Sequence, residues 1–442
     1  MANASCNFIT AEFISELGDP KSIKKIDVIV AKSSKFNQNF AEILVSKSRN
    51  ILPKFKKNFN AKIEVHYEFG LCNFDAKVRQ LGDWKDHIKL IDGGKPVRSL
   101  RVKLKNGNIL NSVAFNLLIP ETRNDMHEVL GTIILRKLNY IAPETFQVLT
   151  DVNGAKNIML FQEETKKELL EKNKRREGPM FEADESIIWT SDGFNHDREK
   201  LSLARNTNPK WFLKGKNSSF ITLHAYSLLQ KTYLDYSQKI ELQKRNLNLF
   251  ENSETYRDFI FTLLAMNGLH GLRPHNQKFY YNSFTESFEP IYYDGNLDFF
   301  KPDPRVNMFN DLIVQSFSKN YKYKFSQIFD NKNLKDEILK SFNARTRVDK
   351  KDSELFFEKS MKSISANIER IKLKINQNEY LKENIDYDKN FKSYSRLQKK
   401  LSFDQNILFS LKLDEEKVKA NSLNGDVIFL DNVELSKIIS RL

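Results

Sequence analysis

Apolar and polar positions alternate, or run apolar, over residues 24–30 (K-K-I-D-V-I-V) and 61–69 (A-K-I-E-V-H-Y-E-F). This pattern predicts two strands, with a helix between them near Phe40–Ser48. Residues 76–88 (A-K-V-R-Q-L-G-D-W-K-D-H-I) lead into S-L-R-V-K-L-K-N-G-N-I-L (99–110), in which Asn106-Gly107 is a hairpin-turn dipeptide. V-A-F-N-L-L-I (113–119) predicts a further strand, stopped by Pro120. A helix from Asn124 to Lys137 follows, burying Val129, Leu130, Ile133 and Ile134. Residues 145–162 predict a second hairpin turned at Asn153-Gly154, and a charged helix after it ends by Gly178-Pro179. From Phe181 onward the period becomes helical, with Tyr256, Phe259, Ile260, Leu263 and Leu264 on one face of a helix from Ser253 to Met266. The helical reading resumes beyond Asp303. There Phe357, Met361, Ile364, Ile368, Ile371 and Ile375 recur at alternating steps of four and three, an amphipathic stripe that packs on its own protein. L-F-S-L-K-L and G-D-V-I-F-L-D-N-V suggest a small hairpin near the end.

At 442 residues and 40% hydrophobic content the chain can build two or three packed units. No run of eighteen apolar residues predicts a transmembrane helix. The start, M-A-N-A-S-C-N-F-I-T, lacks the build of a signal peptide, so the default compartment is cytoplasmic, or exported if the N-terminus has been trimmed. Cys6 and Cys72 are too few for a disulfide framework or a thiolate zinc site, and read as a free terminal thiol and a small core residue. The net charge of +14 suits an anionic partner such as a nucleotide, a phosphorylated glycan or an acidic protein. Much of that excess is Lys spread along helices, so dedicated nucleic-acid binding is not expected.

The chemistry concentrates between Leu269 and Asn296. L-H-G-L-R-P-H-N-Q-K-F-Y-Y is followed by a turn-rich spacer and P-I-Y-Y-D-G-N. A helix, a polar loop with Asn, a hairpin and then Asp-Gly is the order in which protein kinases present their two metal-binding residues. Magnesium prefers hard oxygen ligands, which the Asn276 amide and the Asp294 carboxylate supply. Read singly, Asn276 caps a turn and Asp294 initiates one. A cation for the phosphates belongs on the strand before the inserted helix. Lys103 is the first candidate and Arg98, Arg101 and Lys105 compete, since alternation places Arg101, Lys103 and Lys105 on one face. A solvated basic strand is the simpler reading of the same residues. Glu128 on the 124–137 helix could orient that cation or be a surface residue. Glu163, at the end of the second hairpin, could face nucleotide or metal, or open a helix. His270 and His275 have no third ligand near them in sequence, so zinc is not expected there.

With these residues in place, the chain resembles the spore-coat protein H (CotH) kinase-like family, collinearly from Ala76 to Phe299. S-L-R-V-K-L is similar to the family's basic strand, and L-I-P-E-T-R-N-D-M-H-E-V-L to its strand-to-helix step. The 140–163 stretch is similar to its hairpin, aligning Glu163 with the terminal Glu. Asn276 and Asp294 align with its catalytic-loop Asn and metal Asp. The resemblance implies an α+β, bilobal kinase-like fold with a strand-rich small lobe, a mostly helical large lobe and a helical C-terminal extension. The corresponding divisions are 1–165, 166–345 and 346–442. It also implies ATP with Mg²⁺ or Mn²⁺, and transfer to a protein hydroxyl; a surface glycan is an equal acceptor class. One departure stands out: the position five before Asn276, where kinase loops carry the catalytic Asp, is Gly271. His270 or His275 could take the role of base, with Arg273 on phosphate. The alternatives are a nucleotide-binding pseudokinase or interaction module, and a basic structural or nucleic-acid-binding protein.

Overall fold

The computed structural model describes residues 5–7, 16–184, 188–190, 193–194, 203–241, 249–250, 253–301, 317, 322–377, 408–414, 417–422 and 426–440. The helical reading just beyond Asp303 falls within 302–316, outside the described residues.

Ten strands make the first half: β1 (Ser5–Cys6), β2 (Ile23–Val30), β3 (Phe59–Tyr67), β4 (Gly70–Gln80), β5 (Ile88–Ile91), β6 (Lys95–Arg98), β7 (Leu100–Leu104), β8 (Ala114–Leu118), β9 (Thr145–Val152) and β10 (Ala155–Glu163). Seven of them close into a barrel in the order β4-β3-β2-β9-β10-β8-β7, with β7 returning to β4. Closure depends on the length of β4. Its Gly70–Val78 stretch pairs with β3, while its last five residues, Ala76–Gln80, pair with Leu100–Leu104. The ladders are antiparallel except β2–β9, where Lys25–Val28 runs parallel to Leu149–Val152. Closing the sheet removes exposed edges, which a strand-rich unit of this length must otherwise protect.

Strand alternation fills the barrel. Ile26 and Val28 of β2, Ile63 and Val65 of β3, Phe74 and Val78 of β4, and Val102 of β7 point inward. Phe161 stacks between Phe115 and Phe146, with ring centroids 4.4 and 4.6 Å away. Helix α1 (Ser33–Val45) crosses from β2 to β3 and inserts Phe36 into this core. Arg98 is buried there, its guanidinium 4.0 Å above the Phe36 ring and donating to Phe36 O at 2.8 Å. It is a packing residue, and burial pushes its guanidinium down to about 9.

The bilobal kinase-like expectation is therefore corrected. The strand-rich part is a closed seven-stranded barrel rather than an open small lobe, accompanied by ten α-helical segments among the described residues. Helix α2 (Met126–Lys137) lies on the barrel's outside, and its Val129, Leu130, Ile133 and Ile134 join Leu118 and Leu160 in a second core. That same core takes in the Lys216–Glu241, Glu254–Ala265 and Lys350–Gln377 helices, including the whole Phe357–Ile375 stripe. β8 is consequently buried on both faces.

Two further readings are corrected. The stretch from Phe181 opens as strand, since Ala204–Asn206, Met180–Ala183, Lys278–Asn282 and Ser287–Ile291 form a four-stranded antiparallel sheet. Cys6 and Cys72 are joined in a disulfide that ties β1 to β4, so neither is a free thiol. Near the end of the chain, the predicted hairpin is a three-stranded sheet of Leu408–Asp414, Lys417–Ser422 and Val427–Leu430, followed by a helix. Among the described residues, no helix is long and apolar enough to cross a membrane.

Candidate functional site

The Lys278–Asn282/Ser287–Ile291 hairpin delivers the Tyr292–Leu297 loop against the first turn of α2. Asp294 and Asn296 adopt left-handed backbone, with φ of 45° and 47°. Asn124, itself left-handed, holds this loop by donating to Asn296 Oδ1 at 3.1 Å and Leu297 O at 2.9 Å. Gly131 gives Leu297 its seat on α2, because a Cβ there would stand 1.9 Å from Leu297 Cδ1.

Asp294 faces Arg123, with Oδ2 at 3.1 Å from Nη2, and His270, whose Nε2 is 3.6 Å away. Burial works to raise the Asp294 carboxyl, but the guanidinium and the imidazole hold it well below the usual carboxylate range. Arg123 sits in the turn between β8 and α2 and leaves its Nε buried with no hydrogen-bond partner among the described residues.

The Leu269–Asn276 segment forms two short turns beneath this loop. Asn276 donates its Nδ2 to His270 O at 2.9 Å. His275 is buried, and desolvation, reinforced by Arg273, lowers its imidazole to about 4. Gly271 has a packing reason. A Cβ there would lie 3.1 Å from Gly295 Cα and 3.3 Å from Tyr293 O. A side chain in this place would require the backbone of the loop that carries Asp294 to give by a few tenths of an ångström.

Behind the loop, Glu128 is fully buried and accepts from Tyr292 Oη at 2.6 Å and Gln162 Nε2 at 2.7 Å. Burial pushes its carboxyl up to about 7, the hydrogen bonds and Arg123 only partly offsetting the desolvation. The folded state thus holds a proton that the unfolded chain releases near pH 4.5, so Glu128's contribution to stability falls as pH rises from about 4.5 through 7. Glu128→Gln should flatten that part of the profile and raise the urea midpoint at pH 8 relative to wild type. An unchanged difference between the two proteins at pH 5 and pH 8 would contradict it.

These residues open onto one cleft of about 780 Å³, between the barrel wall and the four-stranded sheet. Its lining includes His270, Arg273, His275, Asn276 and Asp294, together with Arg101 and Glu163 from the barrel. Arg101 Nη2 donates to Glu164 Oε2 at 2.7 Å. Glu163 is buried against Lys172 Nζ at 2.9 Å, and burial nonetheless raises its carboxyl. Lys103 is exposed on β7, opposite Lys77, and is not among the lining residues; Glu128 stands one layer behind Tyr292.

Sequence reasoning did not single out Arg123, Glu164, Lys166, Glu182, Arg205 or Lys278, all of which line the cleft. Glu182 takes Lys278 Nζ at 2.9 Å and also pairs with Arg205; despite burial these cations hold its carboxyl at about 2. Arg123 was visible in the T-R-N-D step, but its partner lies across the fold. A run of cations interleaved with carboxylates suits a polyanion carrying metal. Asp294 and Asn276 are lining residues whose hard oxygens could hold a divalent cation. Arg123 neutralises Asp294 in the meantime. Compared with protein-family models and with curated proteins, the chain matches none.

Proposed function

We propose that the cleft binds a nucleoside triphosphate with a divalent cation and passes its terminal phosphoryl group to a protein or glycan hydroxyl. The observation that carries this reading is convergence: Arg101, Glu163, His270, Arg273, Asn276 and Asp294, scattered over nearly two hundred positions, line one cleft. Arg101 and Arg273 suit the phosphates, and Asp294 and Asn276 suit the metal, which when bound would neutralise phosphate charge. His270, a partly exposed lining residue, suits the acceptor hydroxyl. The Cys6–Cys72 disulfide favours an oxidising compartment over the cytoplasmic default.

A second reading, nucleotide binding without turnover, is favoured by Gly271 and by the Arg123 pair on Asp294. Calorimetric titration of ATP with and without Mg²⁺, on wild type, Asn276→Ala and His270→Ala, separates the two. The transfer reading expects Mg²⁺-dependent binding, weakened in Asn276→Ala, and labelled-phosphate transfer lost in His270→Ala while binding remains. Binding without transfer or hydrolysis leaves the second reading. Absence of Mg²⁺-dependent ATP binding in wild type sinks both.

A further inference from the structure

On the opposite, solvated wall of the barrel, Asp27 of β2 faces Glu64 of β3 directly, and His66 lies two residues on along β3. Alternation puts all three on the outer face, and each offers one ligand atom within 4.8 Å of the others. His66 Nε2 is 2.8 Å from Asp27 Oδ2. We propose that Asp27, Glu64 and His66 form a surface site for a divalent transition metal of the zinc class.

Three features carry this. One imidazole nitrogen and two carboxylates are a borderline donor set that suits zinc, with water in the fourth position. The donors stand on two neighbouring strands of a closed barrel, whose ladder holds their spacing without help from loops. The trio is also already charge-compensated: Lys25, opposite His66, places its ammonium 2.8 Å from Asp27 Oδ1 and 4.0 Å from Asp151 Oδ2. An ammonium there occupies the place of positive charge that a metal would take. Metal entry would replace the His66–Asp27 hydrogen bond and turn Lys25 toward Asp151 or solvent. The site is remote from the cleft and does not depend on the function proposed for it.

The test is titration of the chelator-treated full chain with Zn²⁺ by calorimetry and with Co²⁺ by visible absorption. The proposal expects one equivalent bound and four-coordinate Co²⁺ bands. His66→Ala and Glu64→Gln should each weaken binding ~10-fold or more. His270→Ala should leave this equivalent intact, which assigns it away from the cleft. Lys25→Met should tighten it several-fold, because the competing ammonium is gone. A merely structural Asp27–His66 hydrogen bond would not produce that gain. Glu64→Gln keeps size and shape, so the test survives even where His66→Ala folds poorly. No stoichiometric uptake by wild type, uptake indifferent to Glu64→Gln, or weaker uptake in Lys25→Met would each overturn the proposal.

Discussion

Asp294→Ala should lower the unfolding free energy by about 3–5 kcal/mol, because it leaves the Arg123 guanidinium buried without its carboxylate. Both side chains are largely shielded, 12% and 15% exposed, so solvent screening does not rescue the orphaned charge. Much of that loss is the penalty on the survivor and not the net worth of the pair. A double variant, Arg123→Met with Asp294→Asn, which the left-handed backbone at 294 accepts, should therefore recover most of it in a urea titration. The pH dependence has a definite sign. The Asp294 carboxyl is held low in the fold, so its stabilisation is present above the unfolded value near 4 and is lost as pH falls toward the folded one. A loss below about 1 kcal/mol for Asp294→Ala would mean that the pair behaves like an exposed one. In that case Asp294 would be freer to accept a cation than its neighbours suggest. The stability measurement thus bears on function: the tighter the Arg123 grip, the more a metal must displace.

Reduction of the Cys6–Cys72 bond should cost about 2–4 kcal/mol, since a cross-link spanning 66 positions removes much loop entropy from the unfolded chain. β1 is only two residues long and pairs with β4 through Ser5–Asn73 and Cys6–Cys72, so the disulfide is its principal anchor. The barrel itself does not depend on β1, because its ring closes without it. The expected result is a lower denaturant midpoint with the far-ultraviolet signal retained, for the reduced protein and for Cys72→Ser alike. Thiol counting on the unreduced protein gives the complementary check, and two alkylatable cysteines would refute the bond.

How much was legible depends on how local the cause is. Asn153-Gly154 announced the β9–β10 turn because both residues accept positive φ, 48° and 89° here. Ser253 announced its helix because its hydroxyl accepts from Tyr256 N, an N-cap confined to four residues. The Phe357–Ile375 stripe announced a buried face by period alone, and all six residues are buried. The convergence of Asn276 and Asp294 was readable for a similar reason: the hairpin between them brings its own ends together.

What failed was long-range. Nothing in the apolar alternation of Ala76–Gln80 distinguishes pairing with β3 alone from pairing with β7 as well, yet that second ladder turns an open sheet into a barrel. The parallel β2–β9 contact is equally silent in either strand. Cys6 and Cys72 looked unpaired because their meeting requires β1 to find the edge of β4. Arg123 was not singled out because its meaning lies in a carboxylate delivered from a distant segment of the chain. The amino-acid sequence by itself determined the turns, caps, stripes and residue chemistry of this protein, since those depend on a few neighbouring side chains. Only the tertiary structure decided barrel closure, the charge partner of Asp294 and the grouping of Asp27, Glu64 and His66. These depend on which distant segments share a register, and no local pattern carries that information.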